Sequence, residues 1–122
     1  MTKQKMYSQS GIIKGNPDNK NNARKFIDGS TRSFASLRTA AIGFGTYEPG
    51  WKWSLHAGPQ TGKDSENHIG YVISGQMVVK DPSGNEAVVN PGEAFEIVAG
   101  SDAWVIGDKS CIALDFIPLK RT

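Results

Sequence analysis

The chain consists mainly of short β-prone runs separated by turn signals built on glycine, proline, asparagine and aspartate. These runs cover residues 25–27, 33–37, 39–47, 68–74, 76–80, 86–89, 93–98, 103–106 and 111–118. Many short strands at a spacing of roughly ten residues indicate an all-β domain that is closed or sandwiched, because closure removes exposed sheet edges. No capped helix of useful length is predicted.

Residues 49–75 concentrate the candidate chemistry, because they hold both histidines and two of the three tryptophans. Apolar and polar residues alternate from Trp51 to His56, which predicts a strand with two different faces. The apolar face would hold Trp51, Trp53 and Leu55, and the polar face would hold Lys52, Ser54 and His56.

A second predicted strand begins at His68 and ends at the glycine turn of Gly75. Its alternation places His68, Gly70 and Val72 on one face. If this strand and the one before it line the same cavity, His56 and His68 converge there. Cys111 lies within an apolar run, which predicts a buried, inert thiol.

With 122 residues the chain is expected to form one domain. Residues 1–25 carry six Lys or Arg against one Asp, whereas the rest carries eight against eleven acidic residues. Together with the Asn-rich, apolar-poor sequence, this predicts a flexible basic arm over residues 1–24 and a barrel domain over residues 25–122. The basic charges lack interleaved aromatic residues, so nucleic-acid binding is disfavoured.

No apolar run reaches the roughly 18 residues that a membrane helix needs, and the amino terminus has no apolar signal region. One cysteine cannot form an internal disulfide. We therefore expect a cytoplasmic protein without membrane contact.

Two motifs resemble those of the cupin superfamily, whose members are small double-stranded β-helix barrels of the jelly-roll type. Gly50 and His56 have the spacing that opens the first cupin motif, and His68 stands seven residues before Gly75, where that motif has its glutamate. The second motif is matched by Gly92 and Gly100, with Pro91-Gly92-Glu93 resembling its entry turn. The resemblance covers about residues 30–118 and implies an all-β cupin barrel in a single domain with an extended N-terminal arm.

Several motif positions depart from the cupin pattern. Gly58 stands at the second histidine, His68 at the glutamate, Val98 at the second motif's proline, Ala103 at its histidine and Gly107 at its asparagine. The usual cupin site of three histidines and one glutamate is therefore impossible in this chain.

A divalent metal (Fe, Mn, Zn or Ni) would need the two histidines and a nearby carboxylate. Glu66 lies two residues before His68, and Asp102 lies beside the missing motif histidine. The candidate ligands are thus His56, His68, Glu66 and Asp102. In the alternative, both histidines are ordinary pocket residues bonded to backbone or water.

The candidate contacts for a small-molecule ligand are Lys52, Ser54, His56 and His68, which share the polar faces. Trp51, Trp53 and Tyr71 are predicted on the opposite faces, where they would pack against a sheet or a partner subunit. This arrangement favours a homodimer.

Three functional hypotheses follow. The first is a single-domain cupin that binds a small polar or anionic molecule in the barrel, with or without a divalent metal. The second is a metal-dependent oxygenase or isomerase, in which the metal would activate oxygen, water or a carbonyl. The third is a degenerate cupin that acts as an interaction module through its arm or its tryptophan face.

Overall fold

The computed structural model describes residues 11–62 and 65–119. The first ten residues of the predicted arm lie outside this part. The strands are β1 (Arg24–Lys25), β2 (Thr31–Ser36), β3 (Ala40–Tyr47), β4 (His68–Ser74), β5 (Gln76–Lys80), β6 (Glu86–Val89), β7 (Ala94–Ile97), β8 (Asp102–Ile106) and β9 (Cys111–Pro118). The helical segments are a 3₁₀ turn (Lys20–Asn22), a π-helical turn (Trp53–Ala57) and α1 (Gly58–Thr61).

The nine strands form two sheets in which every pairing is antiparallel. The larger sheet has the order β1-β2-β3-β9-β4-β7, and the smaller has the order β6-β5-β8. Antiparallel sheets of this kind place alternate side chains in a shared interior. The predicted all-β jelly-roll class is confirmed.

Strict alternation along β3, together with the register of β9 against it, determines what faces the interior. In β3, Ala41, Gly43, Gly45 and Tyr47 are buried, and the residues between them are half-exposed. The register pairs Tyr47 with Cys111 and Gly43 with Asp115. Because paired residues of adjacent strands point to the same side, Asp115 lies on the interior face of the sheet.

The hydrophobic core lies between the two sheets and draws on both. Its buried members are Phe26, Tyr47, Trp51, Ala57, Val72, Met77, Val79, Val89, Ile97, Ala103, Val105, Cys111 and Ala113. Cys111 has no exposed surface, as its apolar neighbours predict.

The strand predicted from Trp51 to His56 is wrong. Lys52 is extended and forms a single bridge to Trp104, but the chain then turns, and the backbone N–H groups of Leu55 and His56 both donate to the Lys52 carbonyl at 3.0 and 2.8 Å. The run contains no β-branched residue, and it leads into the Gly58-Pro59 start of α1, where proline fits the first helical turn. Six alternating residues without β-branched side chains do not hold a strand against these preferences.

The outward orientation predicted for Trp51 and Trp53 is also wrong. Trp51 is 4% exposed and belongs to the core, and Trp53 packs against that core. Tyr71, on the outer side of β4, is exposed, so only this member of the predicted aromatic face points outward.

The described part of the N-terminal segment lies against β2. The Ser33 hydroxyl donates to the Pro17 carbonyl at 2.6 Å and accepts from the Asn19 N–H at 3.1 Å. Arg24, the last residue of the predicted arm, belongs to β1. The division into a flexible arm and a barrel domain stays a prediction. No helix in residues 11–62 or 65–119 has the length and apolar character needed to span a bilayer.

Candidate functional site

The interior of the barrel contains a cavity of about 410 Å³. Its wall combines aromatic rings with charged and polar side chains, a composition typical of sites for small molecules. The aromatic part consists of Phe26, Phe34, Tyr47, Trp51, Trp53 and Phe95. The charged and polar part includes Arg24, Arg32, Glu66, Asn67, His68, Ser101, Asp102 and Asp115.

The centre of the polar wall is a chain of three charged or ionisable side chains. The Asp115 carboxylate accepts from Arg32 Nε at 3.1 Å through Oδ2, and its Oδ1 lies 3.5 Å from His68 Nε2. These residues come from β2, β9 and β4. One carboxylate therefore joins two basic side chains, and the three residues come from three different strands.

His68 is held in one orientation by its neighbours. Its Nδ1 lies 3.0 Å from the Glu66 carbonyl, and because a carbonyl oxygen can only accept, Nδ1 carries the proton. The edge of its ring meets Phe95, with the ring centroids 6.2 Å apart and the planes at 74°. The Nε2 atom is therefore directed towards Asp115 and the cavity wall.

Small residues on the inner faces make room for this network. A Cβ atom at Gly43 would lie 2.7 Å from an Arg32 Nη atom. The rings of Tyr47 and Phe95 occupy the space where Cβ atoms of Gly45 and Gly70 would lie. These glycines allow large side chains to lie flat along the strands.

Burial and charge shift the acid–base behaviour of two residues in the wall. Burial raises the pKa of the Tyr47 hydroxyl well above its usual value, and the nearby Asp115 charge raises it further. Burial alone would lower the pKa of Arg32, but Tyr47 and the hydrogen-bonded Asp115 more than offset it, so the pKa is raised. Both groups therefore stay protonated, and Arg32 is a permanent cation.

Two cationic side chains lie opposite each other at this wall. Arg24 of β1 is paired in register with Arg32 of β2, and both line the cavity. Directly opposed like charges destabilise an antiparallel pair. Asp115 forms an ion pair with Arg32, whereas Arg24 forms none with the described residues. The wall is therefore positive locally, at the Arg24–Arg32 pair, because the carboxylates of Glu66 and Asp102 line other parts of the same cavity.

The structure brings together only part of the predicted site. Glu66, His68 and Asp102 line the cavity, whereas Lys52, Ser54 and His56 do not. His56 Nδ1 accepts a hydrogen bond from the Lys52 backbone N–H at 2.9 Å, so the ring folds back onto its own turn. The proposed convergence of His56 and His68 in the cavity depended on the strand at residues 51–56, which does not exist.

Asp102 is occupied by local partners. Its carboxylate accepts from the Ser54 N–H at 3.0 Å and the Ser54 hydroxyl at 2.7 Å, and from the Ala103 N–H at 2.9 Å. Lys52 Nζ lies 4.0 Å from the same carboxylate and 5.0 Å from the centre of the Trp104 ring. Lys52, Ser54 and Asp102 thus form a cluster that anchors the π-helical turn to β8.

The donor set does not fit a metal. In residues 11–62 and 65–119, no group of three or more His, Cys, Asp or Glu side chains is arranged to hold an ion. His56 lies outside the cavity lining, and Asp102 is bonded to Ser54. The four predicted ligands therefore do not form a coordination site in this part of the chain.

Sequence reasoning missed Arg24, Arg32, Tyr47 and Asp115. A signal was present for Asp115, because it is the one charged residue on the alternating apolar face formed with Cys111, Ala113 and Ile117. A charge on such a face requires a partner. Nothing in the sequence identified Arg32 as that partner, because the two residues are 83 positions apart.

Comparison with known proteins gives structural matches only. No family model matches the chain, and no curated protein matches it. A sugar phosphate isomerase of the cupin superfamily from Silicibacter pomeroyi superposes with a TM-score of 0.60 at 19% identity, covering 81% of this chain and 71% of its own. The fold is cupin-like.

Other solved structures agree with this cupin-like fold. KdgF from Halomonas sp. matches with a TM-score of 0.59 at 19% identity, covering 81% of this chain and 89% of its own. A cupin superfamily protein from Desulfitobacterium hafniense matches with a TM-score of 0.54 at 10% identity, covering 88% and 84%. At such identities the similarity concerns the fold and not the chemistry.

Proposed function

We propose that this cupin-like barrel binds a small polar molecule that carries an anionic group, and that it does so with its own side chains. The observation that carries the proposal is the opposed pair Arg24 and Arg32 in the lining of the cavity, where Arg24 is exposed and Arg32 is half-buried. A bound carboxylate or phosphate would compensate the second positive charge, which Asp115 alone does not. Arginine is suited to this task because its planar guanidinium matches the geometry of both anions.

The remainder of the wall fits a hydroxylated body attached to the anion. Asn67 and His68 offer hydrogen-bonding groups, and Trp51, Trp53 and Phe95 offer ring surfaces. A volume of about 410 Å³ falls in the range of small-molecule sites. The name of one structural neighbour, a sugar phosphate isomerase, is compatible with a sugar acid or sugar phosphate as the ligand class.

The alternative of a metal-dependent oxygenase or isomerase has less support, because the described residues provide no coordination group. The alternative of an interaction module stays a prediction. Neither is favoured by a feature as specific as the arginine pair.

The proposal is tested by titration calorimetry of the full chain with D-gluconate, D-glucose 6-phosphate and uncharged D-glucose, in buffer containing EDTA. At least one anion should bind, with an affinity that falls as salt is added and exceeds that of glucose by about tenfold or more. EDTA should not reduce the binding. If neither anion binds, the proposal fails.

A matched pair of variants tests the role of the arginines. Arg24→Gln removes a cavity charge and should weaken anion binding by about tenfold. Lys25→Gln removes the neighbouring charge, which is exposed like Arg24 but lies outside the cavity lining, and should leave the affinity unchanged. Equal losses in the two variants would show that only overall charge matters.

A further inference from the structure

Two residues of the cavity lining each have a buried side-chain polar atom without a hydrogen-bond partner among the described residues. The two atoms are Trp51 Nε1 and Ser101 Oγ. Trp51 is 4% exposed and Ser101 is 3% exposed, and both line the cavity. A buried donor without a partner is costly, and natural folds rarely leave one without a reason.

The rest of the fold satisfies its buried hydroxyls. Ser30 donates to Asp28 at 2.9 Å and accepts from the Glu48 N–H at 2.8 Å. Ser33 is bonded to the N-terminal segment, and Ser65 donates to the Ser101 carbonyl at 2.6 Å. Of the four buried serines in the described part of the chain, only Ser101 lacks a partner for its side chain.

The surrounding fold holds the Trp51 ring and the Ser101 backbone in place. The Trp51 backbone is bonded on both sides, to the Glu48 carbonyl at 3.0 Å and the Val105 N–H at 2.9 Å. Its ring packs against Tyr47 with centroids 4.4 Å apart and against Phe26 at 6.1 Å. The Ser101 N–H donates to the Val98 carbonyl at 3.2 Å, and the Ser101 carbonyl accepts from the Ser65 hydroxyl. The positions from which both side chains extend are therefore set by the fold.

We propose that Trp51 Nε1 and Ser101 Oγ are hydrogen-bonding contacts for the ligand, which supplies the acceptor oxygens that the protein lacks. The indole N–H can only donate, and a serine hydroxyl can donate or accept. The ligand must therefore present at least one hydroxyl, carbonyl or acid oxygen to this wall, in addition to the anionic group at Arg24 and Arg32. A polyoxygenated molecule such as a sugar acid or sugar phosphate meets both requirements, whereas a simple fatty acid or aromatic acid meets only one. This inference rests on the proposed function and specifies its ligand.

Two serine-to-alanine variants provide the first test. Without ligand, Ser101→Ala removes an unsatisfied hydroxyl and should raise the melting temperature by about 2–5 °C. Ser65→Ala removes a satisfied hydroxyl from the same wall and should lower it by a similar amount. A Ser101→Ala variant that is destabilised like Ser65→Ala would show that the hydroxyl already has a partner, and would overturn the inference.

The second test is calorimetry with whichever of D-gluconate and D-glucose 6-phosphate binds the natural protein. Ser101→Ala and Trp51→Phe should each weaken binding by about fivefold to fiftyfold. Trp104→Phe, a change of the same type outside the cavity lining, should leave binding unchanged and serves as the control. Unchanged affinity in both wall variants would overturn this inference while leaving the proposed function intact. Failure of both probes to bind the natural protein would instead refute the proposed function.

Discussion

Asp115 is the residue on which the polar wall depends, because it joins Arg32 of one strand to His68 of another. Its side chain is 14% exposed, and that of Arg32 is 30% exposed. Such a partly screened pair contributes only on the order of 1 kcal/mol to stability. The network is therefore better explained as a fixed polar surface inside the cavity than as a source of fold stability.

The burial of a single residue, Cys111, predicts how the unfolding free energy depends on pH. Burial raises the pKa of its thiol to about 11 from an ordinary value of 9.0. A raised pKa means that the folded state favours the neutral thiol, so the resulting stabilisation is complete below pH 9 and is lost as the pH rises towards 11. The natural protein should lose about 1–2 kcal/mol of unfolding free energy over this window through this group.

Comparison of urea unfolding curves for the natural protein and Cys111→Ala between pH 7 and pH 11 isolates the effect. The alanine variant lacks the thiol but retains the other groups that titrate at alkaline pH, including Tyr47. The difference in unfolding free energy between the two proteins should therefore shrink above pH 9. A difference that stays constant up to pH 11 would show that the thiol is not coupled to folding.

At the scale of elements, alternation of side chains predicted most of the strands. β3 and β4 follow the pattern closely, and most of the turns between strands contain a glycine. The prediction failed for Trp51–His56 because six alternating residues are too few to distinguish a strand from a helical turn when β-branched residues are absent. Because of that local error, the sequence analysis placed His56 in the cavity and both tryptophans on the outside. In the structure His56 is outside the cavity lining, and the two tryptophans point inward.

The candidate site was harder to predict than the strands. His68, Glu66 and Asp102 were identified because they stand close to motif positions. Arg32 and Asp115 were missed because the register between distant strands places them together, and register is set by packing and turn geometry that the local sequence does not display.

The turn at Gly75 joins the two sheets and tolerates no side chain. Gly75 has a φ of +76°, and a Cβ atom there would lie 2.7 Å from Cys111 Cα and would clash with the Ser110 carbonyl. We expect Gly75→Ala to cost at least about 3 kcal/mol, because backbone strain adds to a steric clash with main-chain atoms.

Gly84, in the turn between β5 and β6, is the matched control. Its φ of +96° is also positive, but a Cβ atom there would meet nothing within 4 Å. Gly84→Ala should therefore cost only the strain, about 1–2 kcal/mol. Chemical denaturation of both variants gives the comparison, and equal costs would show that the contact with residues 110–111 is unimportant.

At the scale of the whole molecule, the homodimer expected from the sequence needs a different surface, because Trp51 and Trp53 face inward. The outward residues of the three central strands β3, β9 and β4 form an apolar patch. It consists of Ile42, Phe44, Ile69, Tyr71, Ile73, Ile112, Leu114 and Phe116. Ile69, Tyr71 and Ile73 have exposed fractions of 46%, 38% and 44%.

We estimate that this patch exposes on the order of 400 Å², a size at which the largest apolar patch of a protein is often functional. With a rim of neighbouring residues it approaches the ~800 Å² that each partner of a standard interface buries. The patch carries no charge, so two copies can meet face to face without repulsion. We therefore predict that the dimer forms through the patch.

Light scattering after size-exclusion chromatography tests this prediction. Tyr71→Glu places a charge at the centre of the patch and should convert the dimer to a monomer. Val88→Glu changes an exposed valine on the smaller sheet and should leave the dimer intact. A natural protein that is monomeric at every concentration would contradict the prediction.

The position of β9 in the larger sheet has a consequence for synthesis of the protein in the cell. β9 lies between β3 and β4 and pairs with both. The strands β1, β2 and β3 can therefore join β4 and β7 in one sheet only when residues 111–118 are available. On the ribosome, β2 and β3 emerge long before β9, the inner neighbour of β3, has been synthesised. Until β9 leaves the exit tunnel, β3 exposes an unpaired apolar edge of the kind that chaperones recognise and that promotes aggregation. Folding of the larger sheet is therefore expected to be completed only after residues 111–118 have been translated.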